Sequence, residues 1–170
     1  MRQALRAQGL EDRFLEGLSG QDRERFPRVL AQDWIPMELG STYYEASAPL
    51  LYPGRTSSAA QRLLGREIAL HHLPTIYRIF IRLATPHFMI QQSARVWSTY
   101  HTVGRSRVEG SVEASSVHLL VEDYPELHPI MRESICGFII GSLELTGARD
   151  VRVVQSTSNP QRWDFQVGWR

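Results

Sequence analysis

Residues 108–122, VEGSVEASSVHLLVE, decide the fold, because there the spacing of apolar side chains changes from helical to alternating. Val108, Gly110, Val112 and Ala114 alternate with Glu109, Ser111 and Glu113. After the connection Ala114-Ser115-Ser116, Val117, Leu119 and Val121 alternate with His118, Leu120 and Glu122. Successive strand residues point to opposite faces, so this pattern predicts a hairpin with one wet face.

Downstream, the stretch from Tyr124-Pro125 to Leu145 reads as a helix that is apolar nearly all round between Ile135 and Leu145. A helix of that kind is central and buried. Gly147 is its natural C-cap. Gly137-x-x-x-Gly141 permits a close backbone approach, which we expect to seat the helix on a sheet. A second hairpin closes the chain: Val151 and Val153 lead to a turn over 156–160, and Trp163, Phe165, Val167 and Trp169 alternate with Asp164, Gln166 and Gly168.

Upstream, the periodicity is helical. Leu5, Leu10, Phe14 and Leu18, then Phe26, Val29 and Leu30 beyond Gly20, predict two short helices over residues 3–32. A third starts at Trp34-Ile35-Pro36, carries Leu39, Tyr43, Ala46 and Leu50, and closes at Tyr52-Pro53-Gly54. Thr56 or Ser57 caps a fourth through Ala59, Leu63, Leu64, Ile68 and Leu70, with a break expected near His72 because Pro74 removes a helical donor. Thr85-Pro86 caps another, running to Gly104 through Trp97 and Tyr100. The expected architecture is α+β: a helical N-terminal half (1–104), then β-β-α-β-β with a four-stranded antiparallel sheet (105–170), in one domain spanning residues 1–170.

A chain of 170 residues, 42% hydrophobic and 22% charged, is an ordinary globular composition. Net charge is +1, so no overall field recruits nucleic acid or acidic lipid. All 19 basic residues are Arg, which excludes lysine chemistry. The single Cys136 suits a reducing compartment. The longest apolar run, Ile135 to Gly141, is far short of the roughly 20 residues of a membrane span. Residues 1–10 have no apolar signal core, so the expected location is cytoplasmic.

Catalytic signatures are absent. Adjacent His71 and His72 point about 100° apart on a helix, and no metal-type His or Cys spacing occurs. No nucleophile elbow or glycine-rich phosphate loop is present. Cys136 falls on the buried helix, where a thiol behaves as a small hydrophobe. Arg105-Ser106-Arg107 reads as a solvated charge face with Glu109 and Glu113, while Glu122, Asp123 and Glu126 complement the following helix N-terminus. The expected resident metal is none. Trp97-Ser98-Thr99-Tyr100-His101 is the most distinctive segment, with Trp97 and Tyr100 on one helical face. That face suits core packing or the wall of a pocket.

Leu64-Gly65-Arg66, Ile76-Tyr77-Arg78, Trp97-x-x-Tyr100-x-x-x-Gly104 and Leu143-Glu144-Leu145-Thr146-Gly147-Ala148-Arg149-Asp150-Val151 together resemble an uncharacterised paralogous family expanded in myxobacteria. More remotely, the element order is similar to heme nitric-oxide/oxygen-binding domains, 4-vinyl reductase domains and TRAPP-type tethering subunits. In heme-binding members a His on the helix before an Ala-Thr-Pro-like turn ligates iron. Ala84-Thr85-Pro86 and the upstream His72 match that arrangement, whereas the Tyr-x-Ser-x-Arg signature that holds the propionates is missing.

The resemblance implies a non-catalytic sensory or regulatory module, expected as a homodimer or with a protein partner, and without a cofactor. It would enclose a small apolar ligand between the helical half and the sheet, walled by Trp97, Tyr100, His72 and Tyr77. One alternative is a heme-based gas sensor with His72 as axial ligand. The other is a purely structural interaction protein with an exposed apolar patch around Tyr43, Tyr44 and Leu50–Tyr52.

Overall fold

Short-range capping chemistry sets the helix starts. In the computed structural model, which describes residues 1–30, 33–76, 84–111, 115–124, 129–156, 159 and 162–170, the Thr85 hydroxyl accepts the Phe88 N–H at 3.2 Å. Pro86 occupies the first helical turn, where its missing donor costs nothing. Thr56 accepts the Ala59 N–H at 3.3 Å in the same way. The helices are α1 (Arg2–Ala7), α2 (Glu11–Glu16), α3 (Gly20–Arg25), α4 (Met37–Leu51), α5 (Ser57–Ile76), α6 (Pro86–Gln91), α7 (Ser93–Tyr100) and α8 (Pro129–Glu144). A single 3-10 turn spans Phe26–Arg28.

The helices differ from the periodicity reading in three regions. The N-terminal region forms three helices and a 3-10 turn rather than two helices, because Gly9 at φ +67° and the Gly17–Ser19 stretch end each run after six residues. α5 continues through Pro74 to Ile76; one lost donor close to the helix end is outweighed by packing along its length on α8. The helix expected over 86–104 divides at Gln92 and ends at Tyr100. Gly104 is instead a turn at φ +78°, where any Cβ would lie 2.7 Å from the Tyr124 ring.

Strands β1 (Arg105–Glu109), β2 (Ser116–Glu122), β3 (Arg152–Ser156) and β4 (Arg162–Gly168) form one antiparallel sheet in the order β1-β2-β4-β3. β1 starts three residues earlier than the alternation from Val108 suggests, and Ser106, not an apolar residue, takes a buried position on it. Residues 112–114 of the expected hairpin and Glu126 lie outside the described residues. The registers Leu119↔Phe165, Val121↔Trp163 and Val153↔Val167 build one continuous apolar face. On the opposite face Arg107 pairs with Glu109 and Glu122, Arg105 with Asp123, and His118 Nδ1 lies 2.8 Å from Asp164 Oδ1.

α8 lies between α5 and the sheet. Its Cys136, Ile139 and Leu143 join Trp97 and the inner sheet face in the main core. Its glycines face α5: a Cβ on Gly137 would sit 1.9 Å from the Arg62 carbonyl oxygen, and one on Gly141 2.6 Å from that of Arg66. Gly65 of α5 reciprocates against Ser134 at 1.9 Å. The glycine pair therefore seats α8 on a helix, not on the sheet. Arg62 fastens the seam by pairing with Glu133 and donating to the Val153 carbonyl at 3.1 Å.

A second core joins the N-terminal helices to α4 and α5 through Phe14, Phe26 and Tyr43, whose rings meet at 4.6–6.2 Å. Tyr43 is 2% exposed and Leu51 is buried, so the patch expected around Tyr43 and Leu50–Tyr52 is not a free surface. These residues are consumed in holding the helical half together. No helix among the described residues is long and apolar enough to cross a membrane.

Candidate functional site

Where α4, α7 and α8 approach the sheet, small residues alternate with large ones and the space is not filled. Gly40 on α4, Ser93 on α7, Ser106 on β1, and Ser134 and Ser142 on α8 all face a cavity of about 360 Å3. Larger apolar groups build the rest of the wall: Met37 and Tyr44 from α4, Val96, Trp97 and Tyr100 from α7, Ile135, Phe138 and Ile139 from α8, with Ile68 from α5, Met89 and Ile90 from α6 and Leu119 from β2. Asp33, Trp34, Ile35 and Pro36, which lead into α4, line it as well. A cavity of this size, mostly apolar with a few polar groups, has the character of a small-molecule site.

The indole of Trp97 is fixed by its Nε1, which donates to the Val103 carbonyl at 3.0 Å. His101 stacks on that indole with ring centroids 3.8 Å apart, and Tyr124 meets His101 edge-on, its hydroxyl 3.5 Å from Nδ1. Burial among these rings pushes the His101 imidazole down to about 4. Burial likewise pushes the Tyr44 phenol up to about 12. Both groups are neutral at physiological pH. The hydroxyls are similarly quiet: Ser142 donates to the Phe138 carbonyl at 2.6 Å, and Ser106 to Ser93 at 3.4 Å.

The mouth differs. Asp33 is exposed and its Oδ2 accepts the Leu30 N–H at 2.8 Å. Trp34 beside it lines the cavity while remaining 60% exposed.

Of the expected wall residues, Trp97 and Tyr100 line this cavity together, and Tyr100 meets Phe138 with ring centroids 5.4 Å apart. His72 does not line it; it is half-buried on α5, its imidazole lowered by burial first and then by the nearby N-terminal amine and His71. Tyr77 lies outside the described residues. Sequence reasoning missed His101, Tyr44 and the α8 face as wall, and Asp33 and Trp34 as mouth. The available signal was the set of serines and one glycine at helical positions otherwise occupied by apolar residues. Cys136 is buried with its thiol pushed up to about 12, and is not part of the wall.

A family profile described as "Protein of unknown function (DUF2378)" matches residues 2–170. No curated protein matches the sequence. Solved structures share the fold. An oxygen-binding H-NOX domain related to soluble guanylate cyclases is 11% identical with a TM-score of 0.65, covering 99% of this chain and 90% of that one. An H-NOX protein from S. oneidensis in the Fe(II)NO state is 11% identical with a TM-score of 0.66, covering 98% and 93%. The unliganded Fe(II) H-NOX protein from K. algicida is 9% identical with a TM-score of 0.66, covering 94% and 85%.

The remote H-NOX-like fold thus accords with the element order. Heme needs an accessible axial ligand and cations for its two propionates. Among the described residues, the wall contains neither His72 nor any Arg, and the chain has no Lys. The imidazole it does contain, His101, is covered on one face by Trp97 and has Nδ1 beside Tyr124. These residues do not fit heme.

Proposed function

The chain belongs to the DUF2378 family of proteins of unknown function, and from that premise we propose that it is a non-catalytic sensory or regulatory module whose cavity binds a small apolar ligand. The observation that carries the reading is the cavity itself: about 360 Å3 between the helical half and the sheet, with an apolar wall of neutral groups. Burial moves His101 and Tyr44 away from the range useful for proton transfer near pH 7, so neither is suited to acid–base work. Among the described residues no group of three or more His, Cys, Asp or Glu could hold a metal. The likeness to H-NOX domains supports a sensory role by analogy of fold.

In this reading the protein acts in the cytoplasm without a resident cofactor. Ligand occupancy biases a protein interface, with a second copy of the chain or a protein partner. The ligand touches α4, α7, α8 and the sheet at once, so it favours whichever arrangement of these elements fits it best.

Gly40→Leu tests the proposal. A Cβ at Gly40 makes only ordinary contact, 3.8 Å from Ile35 Cδ1, and a longer side chain enters the cavity. Native mass spectrometry of the purified chain with a panel of small apolar molecules should give adducts on the parent protein that Gly40→Leu loses while melting no lower. Equal uptake by the variant would refute the assignment. Added hemin should give no Soret band on the parent protein, and a stoichiometric one would transfer the argument to a heme sensor.

A further inference from the structure

Resting on the ligand-binding reading above, we propose that the cavity selects its ligand by charge: it takes a single-tailed amphiphile with a cationic head, seats the head at Asp33 and Trp34, and rejects the corresponding carboxylate. At roughly 30 Å3 per water-sized group, 360 Å3 holds about a dozen heavy atoms, which suits an aliphatic tail.

The interior offers that tail no charge. His101 is neutral, the Tyr44 phenol stays protonated, and among the described wall residues there is no Arg to meet an anion. A carboxylate drawn inside would be desolvated without a partner, which is the costliest arrangement for an ion. A carboxylate left at the mouth would face Asp33, a like charge.

An ammonium head at the same mouth meets the opposite situation. Asp33 presents an exposed carboxylate whose orientation is held by the Leu30 N–H. The neighbouring Trp34 offers a largely exposed indole, the aromatic face that cations favour most. The carboxylate and the indole come from consecutive residues, so both stand at the entrance while the tail follows the apolar wall towards Phe138 and Ile139.

The test is calorimetric titration of the full chain with dodecylammonium, dodecanol and dodecanoate, the two ions below their micellar concentrations and the alcohol below its solubility limit. Dodecylammonium should bind about tenfold or more tightly than dodecanoate, with dodecanol between them. Asp33→Asn retains an oxygen for the Leu30 N–H and should bring the three affinities to within about threefold of one another. Dodecanoate binding as tightly as dodecylammonium would overturn the charge rule while leaving an apolar-ligand site in place. A preference that survives Asp33→Asn in a folded variant would overturn the role of Asp33. Binding of none of the three would overturn both this inference and the ligand-binding reading beneath it.

Discussion

Replacing Gly137 by Ala adds one methyl group at the α5–α8 seam. The new Cβ would stand 1.9 Å from the Arg62 carbonyl oxygen and 2.9 Å from the Arg66 nitrogen. Both atoms are backbone, so no rotamer change relieves the overlap. The two helices must separate by more than 1 Å before that contact reaches even 3.0 Å. Separation on that scale loosens the reciprocal approach of Gly65 to Ser134 and the Arg62–Glu133 pair that crosses the seam. Overpacking of this kind costs roughly 1–3 kcal/mol or more, against which Ala regains about 1 kcal/mol of helix propensity over Gly. A 1.9 Å approach to backbone belongs at the upper end of that range, so the net expectation is a loss of about 2 kcal/mol, or roughly 4–8 °C in melting temperature for a domain of this size. Gly40→Ala is the matched control, because its Cβ meets nothing closer than 3.8 Å. There the propensity acts alone, and the variant should gain up to about 1 kcal/mol. Thermal and denaturant unfolding followed by circular dichroism reads both. Gly137→Ala as stable as the parent, or two variants shifting in the same direction, would refute the backbone-contact account of the seam.

The remaining predictions concern partly buried polar groups. His101 is held down to about 4 from an ordinary 6.5, so the unfolded chain binds its proton more readily than the folded one between those values. Its contribution should be complete above about pH 6.5 and decline as pH falls towards 4, by on the order of 3 kcal/mol in total, at about 1.4 kcal/mol per pH unit. His101→Phe keeps a ring on Trp97 and should flatten that part of the stability–pH curve; an unchanged slope would count against His101 as its source. For the Arg62–Glu133 pair, each of Arg62→Met and Glu133→Gln should destabilise by about 2–3 kcal/mol. The double variant should cost about 1–2 kcal/mol less than their sum. Strict additivity in urea unfolding would show that the two side chains do not act together.

The sheet was legible because alternation is a direct record of which face meets the core. Val117, Leu119, Val121, Trp163, Phe165 and Val167 all point where their spacing predicts. Leu120 shows the limit of that reading. It sits on the side of β2 that also carries His118 and Glu122, pairs with Arg107 and Asp164 in register, and is nonetheless fully buried. Strand period assigns a face, whereas burial on the outer face depends on what the long neighbouring side chains cover. Helix existence was legible from caps such as Thr56 and Thr85, but the division at Gln92 and the continuation through Pro74 depend on tertiary packing that no local pattern records. The cavity was half legible. Trp97 and Tyr100 share a helical face whether they wall a pocket or fill a core; the deciding residues are Gly40, Ser93, Ser134 and Ser142, whose smallness matters only when four elements converge.

The placement of those small residues determines what can move. On one side α8 meets α5 through Gly137 and Gly141 with backbone in direct contact, and that side has no slack. Next to that seam α8 presents Ser134, Phe138 and Ser142 to the cavity, which Ile68 of α5 lines as well. A ligand larger than the resting cavity therefore cannot gain room by pressing α8 towards α5, because the Arg62 and Arg66 carbonyls already stand where a single added methyl would clash. Nor does the sheet side yield cheaply, since Trp97, Leu119 and Ile139 belong to the same densely packed core. The compliant wall is α4 with the Asp33–Pro36 approach, where Gly40 meets only the Ile35 side chain and Trp34 stands largely in solvent. α4 also carries Tyr43 into the aromatic core of the N-terminal helices. Under the proposed ligand-binding function, a displacement of α4 is passed to α1, α2 and α3, and the N-terminal half is where a response is expected.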